Sequence, residues 1–341
     1  MWRCMKALLV VPLLILIAGR AEAQAKGNLP IIDMHLHAMA ADEEGPPPLG
    51  LCTPMGEWRA WDQSRPYGDA WMEMLKKPPC ANPMWSPMTD DEVMTRTIEI
   101  MKRRNIVGVL SGTPSRVEAW MKAAPGRFFP GFGLRLVPTA PSTDSLRALH
   151  HSGRLAVLAE ITTQYAGILP DDPRLEPYWA LAESLDIPVG IHVGTGPPGV
   201  IYLGATGYRA HMHSALTLEE VLVRHPRLRL YIMHAGFPML DDLLAAMYAH
   251  PQVYVDVGVI VFTQPRAAFY RYLRGIMEAG FGKRVMFGSD QMVWPGVVER
   301  AIQAIESAPF LTATQKRDIL YNNAARFLRL SEAEVARHHR N

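Results

Sequence analysis

From residue 31 onward, the chain alternates short runs rich in β-branched and aromatic residues with stretches of helical hydrophobic period, and it does so eight times. The β-type runs cover residues 31–37, 106–111, 128–134, 155–161, 187–193, 228–234, 252–258 and 284–289. The helical patterns cover 90–104, 115–124, 143–152, 176–185, 218–224, 240–249, 266–278 and 297–307, and capping boxes at Thr89–Glu92 and Thr217–Glu220 mark two of their starts. A strand followed by a helix, eight times over, closes most economically as an α/β fold of the (β/α)8 TIM-barrel type. An open doubly wound sheet would normally carry a glycine-rich phosphate loop after its first strand, and none follows residues 31–37.

Two stretches fall outside the repeat. Residues 38–88, inserted after strand 1, hold nine of the 28 prolines and four of the eight tryptophans (Trp58, Trp61, Trp71, Trp85). A loop this long usually has a task, and it leaves the barrel at the end where active sites lie. It is therefore expected either to wall or cover a pocket as a lid, or to pack a satellite core of its own. Residues 312–330 read as one extra C-terminal helix on the barrel exterior, followed by a polar tail.

Residues 1–23 are set apart from the fold. Arg3 and Lys6 precede a 12-residue apolar run at 7–18, and Ala21-Glu22-Ala23 has the small-x-small form of a cleavage site. The run is too short for the roughly 20 residues of a membrane span. The expectation is a cleaved signal peptide and an exported (periplasmic or secreted) single barrel domain over residues 24–341, with no membrane span after cleavage. Arg3, Lys6, Arg20 and Glu22 leave with the signal, so of 35 basic and 33 acidic residues 32 of each remain. A formally neutral chain with only short basic runs, such as Arg103-Arg104, argues against nucleic acid as a partner. Cys52 and Cys80 stay behind as an even pair in an oxidising compartment, either bridged or left as two thiols.

The histidines carry the chemistry. In Ile31-Ile-Asp-Met-His-Leu-His37, His35 and His37 stand two apart on a strand, so both face one side and can share one divalent ion. His211-Met-His213 has the same spacing but falls in the loop after strand 5, and reads as surface or substrate-loop residues. Strand 4 ends at Glu160, strand 5 reaches His192, strand 6 ends at His234 and strand 8 runs into Asp290. Burying that many polar groups at one barrel mouth is costly, and a metal ion resolves the cost. Zn²⁺, Mn²⁺, Fe²⁺ and Co²⁺ all suit such ligands, with zinc the leading expectation.

The set Asp33/His35/His37, His192, His234 and Asp290, with the His250 to Asp256 stretch and the late Asn323-Ala-Ala-Arg-Phe-Leu328 segment, resembles the amidohydrolase superfamily. The likeness is to its amidohydrolase-related (amidohydrolase 2) branch, which also contains aminocarboxymuconate-semialdehyde decarboxylase-like proteins. The resemblance implies that His35, His37 and Asp290 hold a first ion, that His192 and His234 hold a second, and that Glu160 stands where the bridging carboxylate is expected. In mononuclear members the strand 1 pair, His192 and Asp290 hold the single ion and His234 turns toward substrate. The implied activity is hydrolysis of an amide, ester or lactone bond in a small molecule by a metal-activated water, with Asp290 moving the proton and His234 or the metal polarising the carbonyl. The alternative on the same scaffold is a metal-dependent non-oxidative decarboxylase.

Asp33 is expected to buttress a ligand or to make a strand-end hydrogen bond. Gln164, Tyr165 and the 194–199 loop are expected at the pocket wall, mainly as loop-shaping residues. Arg135 is expected to receive a substrate carboxylate or to pair with Glu160. A homo-oligomer is compatible with the sequence, which carries no clear trace of oligomeric state.

Overall fold

Ile31, Ile32 and Leu36, spaced along eight consecutive buried residues, open the sheet as β1 (Ile31–Ala38) in a computed structural model that describes residues 28–136 and 140–340. The expected signal peptide, residues 1–23, lies outside the described residues. β1 pairs in parallel with β2 (Ile106–Gly112), and β2 with β3 (Phe128–Pro130). β4 (Leu158–Ile161), β5 (Val189–His192), β6 (Leu230–Met233), β7 (Tyr254–Asp256) and β8 (Val285–Met286) form a second parallel ladder in chain order. Parallel bridges Gly131 to Val157 and Leu134 to Ile161 join β3 to β4. Met34 N–H donates to Phe287 O at 2.9 Å and Asp290 N–H to His35 O at 2.7 Å, which links the end of the circuit back to its start. The fold is thus the expected (β/α)8 barrel.

Each expected helix is present within a residue or so, as α2 (Asp90–Arg103), α3 (Pro114–Ala123), α4 (Thr143–His151), α5 (Glu176–Ser184), α6 (Glu219–Arg224), α7 (Leu240–Ala249), α8 (Arg266–Glu278) and α9 (Val297–Glu306), after α1 (Tyr67–Lys76) in the insertion. α9 shows the packing rule: Val297, Val298, Ala301, Ile302 and Ile305 are fully buried and fall on one face at helical spacing. Burial of each Val or Ile there is worth roughly 1.5–3 kcal/mol. Strands and helices share one large core, whereas Ile32, Met34, Val107, Val109, Tyr231 and Met286 belong to a separate cluster on the other strand face, the barrel interior. The β1 register shifts between Asp33 and Leu36. That bulge moves the inward phase from Ile32 and Met34 to His35 and His37, because side chains alternate with period two.

Four expectations need correcting. Thr89 caps α2 by accepting from Glu92 N–H at 3.2 Å, but the Glu92 carboxylate reaches back to Met88 N–H. Thr217 caps nothing: it sits in a 3₁₀ turn, Ala215–Leu218, donates to Ser214 O, and Ser214 is the residue that accepts from a backbone N–H. The expected C-terminal helix begins with a capping box at Thr312 but widens to a π turn at Asp318–Asn322, and the expected polar tail is a further helix, Glu332–Arg340, that buries His338 against Tyr321.

The insertion packs a small core of its own and contributes side chains to a cavity wall. Gly50–Leu51 pairs with Met84–Trp85, and Cys52 and Cys80 form a disulfide across 28 residues. Met55, Met74 and Trp71 pack around that bridge as a small core. At its base, Ala41 N–H donates to the Asp90 carboxylate at 2.8 Å, so the excursion leaves and rejoins the barrel at one point. Among the described residues no helix is long and apolar enough to cross a membrane.

Candidate metal centre

The four barrel histidines are all buried, and each has its Nδ1 taken. His35 Nδ1 lies 3.2 Å from Asp256 Oδ2, His37 Nδ1 3.0 Å from Ser111 Oγ, His192 Nδ1 2.8 Å from Gln164 Oε1, and His234 Nδ1 3.0 Å from Gly258 O. Carboxylate, amide oxygen and carbonyl can only accept, so His35, His192 and His234 carry their proton on Nδ1 when neutral and present the Nε2 lone pair. Those lone pairs converge. His35 Nε2 and His37 Nε2 are 3.1 Å apart, and His234 Nε2 is 3.4 Å from Glu160 Oε1.

The carboxylates complete the cluster. Glu160 Oε2 lies 3.6 Å from His37 Nε2 and 3.7 Å from His35 Nε2, while Asp290 Oδ1 lies 3.0 Å from His37 Nε2 and 3.7 Å from His35 Nε2. Three overlapping triads, His35/His234/Asp290, His35/His37/Glu160 and Glu160/His192/His234, each bring ligand atoms within 4.8 Å of one another. All six residues singled out in the sequence therefore meet at one mouth. The donor set fits a divalent cation: imidazole nitrogens and carboxylate oxygens crowd together within ligand reach of one another.

The electrostatics are those of a crowded, buried site. Burial drives Glu160 toward its neutral form, but its bonds to His234 and His35 outweigh this and hold it well below the usual carboxylate range. Asp290 is likewise lowered, with His35 and His37 overcoming burial. His35 and His234 are raised against burial, by Asp290 and Asp256 for the first and by Glu160 and Asp290 for the second. Burial and then the His234 charge lower His192 to about 3. Asp33 is pushed up to about 7 by burial. Its Oδ1 accepts from His35 N–H and Ser289 N–H, so it ties β1 to the end of β8.

The backbone is bent to deliver these groups. His234, Val259 and Asp290 have φ of 62°, 54° and 53°, the left-handed region that non-glycine residues avoid and β-branched residues avoid most. Gly258 and Gly288 make room: a Cβ at Gly258 would lie 2.7 Å from His35 Nδ1, and one at Gly288 2.9 Å from His35 Cβ.

Several supports were not read from the sequence in these roles. Ser111, Asp256 and Gln164 orient imidazoles, and Gln291 braces β1 by accepting from His37 N–H and donating to His37 O. Ser111 and Asp256 are polar residues at strand ends and Gln164 and Gln291 lie a few residues beyond one, which was the available signal. Gln164, expected mainly as a loop-shaping residue, instead holds a ring. Arg135 lies on the wall of the cavity but, among the described residues, makes no ion pair with Glu160, so that expected pairing is not formed. His211 is exposed, whereas His213 is buried on the cavity wall and bonded to Tyr208, so the two do not share one environment.

The cavity above the centre measures about 1130 Å³. The insertion supplies Trp58, Trp71, Met55 and Met74 to its wall, and the loop after β5 supplies Pro197, Val200 and Tyr208. Trp61 and Tyr67 from the insertion meet Tyr202 from that loop at ring distances of 4.9 and 5.9 Å, and Tyr67 O–H donates to Pro198 O at 2.6 Å.

The amidohydrolase family profile matches residues 32–330. No curated protein sequence matches the chain. Among solved structures, an uncharacterized TIM-barrel protein from Bordetella bronchiseptica aligns at 18% identity over 90% of this chain and 100% of its own, with a TM-score of 0.59. A probable 2-pyrone-4,6-dicarboxylic acid hydrolase from Acinetobacter baumannii aligns at 15% identity over 89% and 100%, with a TM-score of 0.56. The 5-carboxyvanillate decarboxylase LigW from Sphingomonas paucimobilis aligns at 16% identity over 89% and 100%, with a TM-score of 0.54. At these identities the likenesses show a shared fold.

Proposed function

The chain belongs to the amidohydrolase family, and on that premise we propose that it is an exported, metal-dependent hydrolase of an amide, ester or lactone bond in a small molecule. The observation that carries the reading is Glu160, whose two oxygens face different histidines, Oε2 toward His35 and His37 and Oε1 toward His234. His35, His37 and Asp290 would hold one divalent ion and His192 and His234 a second, with Glu160 within reach of both sets. When bound, a divalent ion such as zinc supplies Lewis acidity and lowers the pKa of a water to about 7.

The chain's own groups do the rest. Asp290, held ionised beside His37, takes the proton of the attacking water and returns it to the leaving group. His234, aimed inward by Gly258 O, presents its Nε2 at the cavity floor beside Glu160, where it would hold the second ion. A cavity of about 1130 Å³ exceeds the usual small-molecule range of roughly 300–1,000 Å³, and its tryptophan and methionine wall supports a bulky, weakly polar substrate. The Cys52–Cys80 bridge supports export to an oxidising compartment.

One observation favours a decarboxylase as the second reading. Arg135 stands on the cavity wall unpaired with Glu160, where it can take a substrate carboxylate, and at least two of the similar barrels are named as decarboxylases. The test is metal counting on wild type and Glu160→Gln, with a panel of esters, lactones and amides and CO₂ detection alongside. Two ions falling to one, with loss of hydrolysis, is expected. CO₂ release without hydrolysis, retained by the variant, overturns the reading in favour of the lyase.

A further inference from the structure

Tyr165 lies in the short 3₁₀ segment Thr163–Ala166, just after Glu160, and its hydroxyl is 2.9 Å from His192 Nε2. The other side of that imidazole is fixed. Gln164 Nε2 donates to Gly194 O at 3.2 Å, which turns Gln164 Oε1 toward His192 Nδ1 and keeps the ring's proton there. His192 Nε2 therefore has one lone pair, and the Tyr165 O–H uses it. The phenol is held in place: its ring stacks on Tyr208 with centroids 5.8 Å apart and planes 20° from parallel, and Gly196 packs so close that a Cβ there would come within 2.7 Å of it. Tyr208 is itself anchored, donating to Gly194 O at 3.1 Å and accepting from Gly196 N–H at 3.2 Å.

One lone pair cannot serve both a hydroxyl and a cation. We propose that Tyr165 is a catalytic hydrogen-bond donor: once His192 commits Nε2 to a divalent ion, the Tyr165 O–H is released into the cavity and donates to the substrate oxygen that gains negative charge. The inference rests on the metal-centre reading but not on which bond is cleaved. No proton is transferred: Tyr165 lends its O–H as a hydrogen-bond donor and keeps its hydrogen. A donor aimed at a developing oxyanion in a buried site is the kind of group whose removal costs about 10²–10³ in rate.

The test uses zinc-loaded full-length protein and two probes, acetohydroxamate, which brings an anionic oxygen, and imidazole, which brings none. Tyr165→Phe is expected to bind acetohydroxamate about 10- to 100-fold more weakly, as for a lost hydrogen bond to a charged group. Its zinc content and its affinity for imidazole should match wild type. Equal acetohydroxamate affinity in wild type and Tyr165→Phe refutes the donor role, and a drop in zinc content or in imidazole affinity refutes it in favour of simple support of His192. Failure of wild type to take up zinc defeats the metal-centre reading, and this one with it.

Discussion

Replacing Asp256 by Asn tests how the centre is tuned, because the change is isosteric and its orientation is forced. Asp256 is fully buried, and its Oδ1 accepts from Gly258 N–H at 2.8 Å and His234 N–H at 3.1 Å. Those two backbone donors pin the amide oxygen of the variant at the same place. The amide NH₂ must then occupy the Oδ2 position, 3.2 Å from His35 Nδ1. A donor there requires His35 to accept through Nδ1 and to carry its proton on Nε2, the atom that faces His37 at 3.1 Å. The fold and the number of hydrogen bonds survive, yet a metal-ready lone pair becomes an N–H. Changes to such supporting partners typically cost 10- to 100-fold in metal affinity, or about 1.4–2.7 kcal/mol. Competition for zinc against a chromophoric chelator near pH 7.5 measures this, and ¹⁵N spectra of the histidines report the tautomer. Asp256→Asn binding zinc within threefold of wild type, with His35 still protonated on Nδ1, refutes the reasoning.

Three further outcomes follow from the same geometry. Gly258→Ala should cost about 1–3 kcal/mol and abolish zinc uptake, since the new Cβ meets His35 Nδ1 at 2.7 Å and Asp290 Cβ at 3.2 Å, whereas Gly56→Ala, with nothing within 4 Å, should melt like wild type. His213 is lowered by burial from 6.5 to about 4, so the unfolded chain binds a proton that the folded one refuses. Its contribution to stability is therefore full above pH 6.5 and is lost as pH falls toward 4, and urea midpoints of His213→Gln should lack up to about 1.4 kcal/mol per pH unit of that slope. The Cys52→Ser/Cys80→Ser pair should lower stability by about 3.6 kcal/mol on the chain-entropy account for a 28-residue separation, with limited proteolysis cutting first within residues 38–88.

The fold was legible where periodicity persisted and became obscure where the chemistry begins. Residues 252–258 and 284–289 read as full strands, yet the ladders keep only Tyr254–Asp256 and Val285–Met286. The residues beyond them turn out of the sheet to deliver Val259 and Asp290 in left-handed conformations, a change that no hydrophobic pattern encodes. Residues 128–134 shrink to Phe128–Pro130 and continue only as isolated bridges. At the C-terminus, a charged stretch concealed a helix because its inward side is held by few residues, His338 chief among them. The six residues of the centre were readable because His and carboxylate recur at strand ends. Ser111, Asp256 and Gln164 were not readable in their roles, because a single polar residue at or just beyond a strand end has the same signature whether it shapes a turn or holds an imidazole. Their roles exist only in the pairing of one ring nitrogen with one oxygen across strands.

The strap between Ala41 and Asp90 has a consequence for how such a protein can change. An excursion tied off at its neck, with a staple and a small core of its own, is a cassette that can be shortened, lengthened or grafted without shifting the register of any strand. Which molecules gain entry can then diverge quickly between descendants while the reacting groups are inherited unaltered.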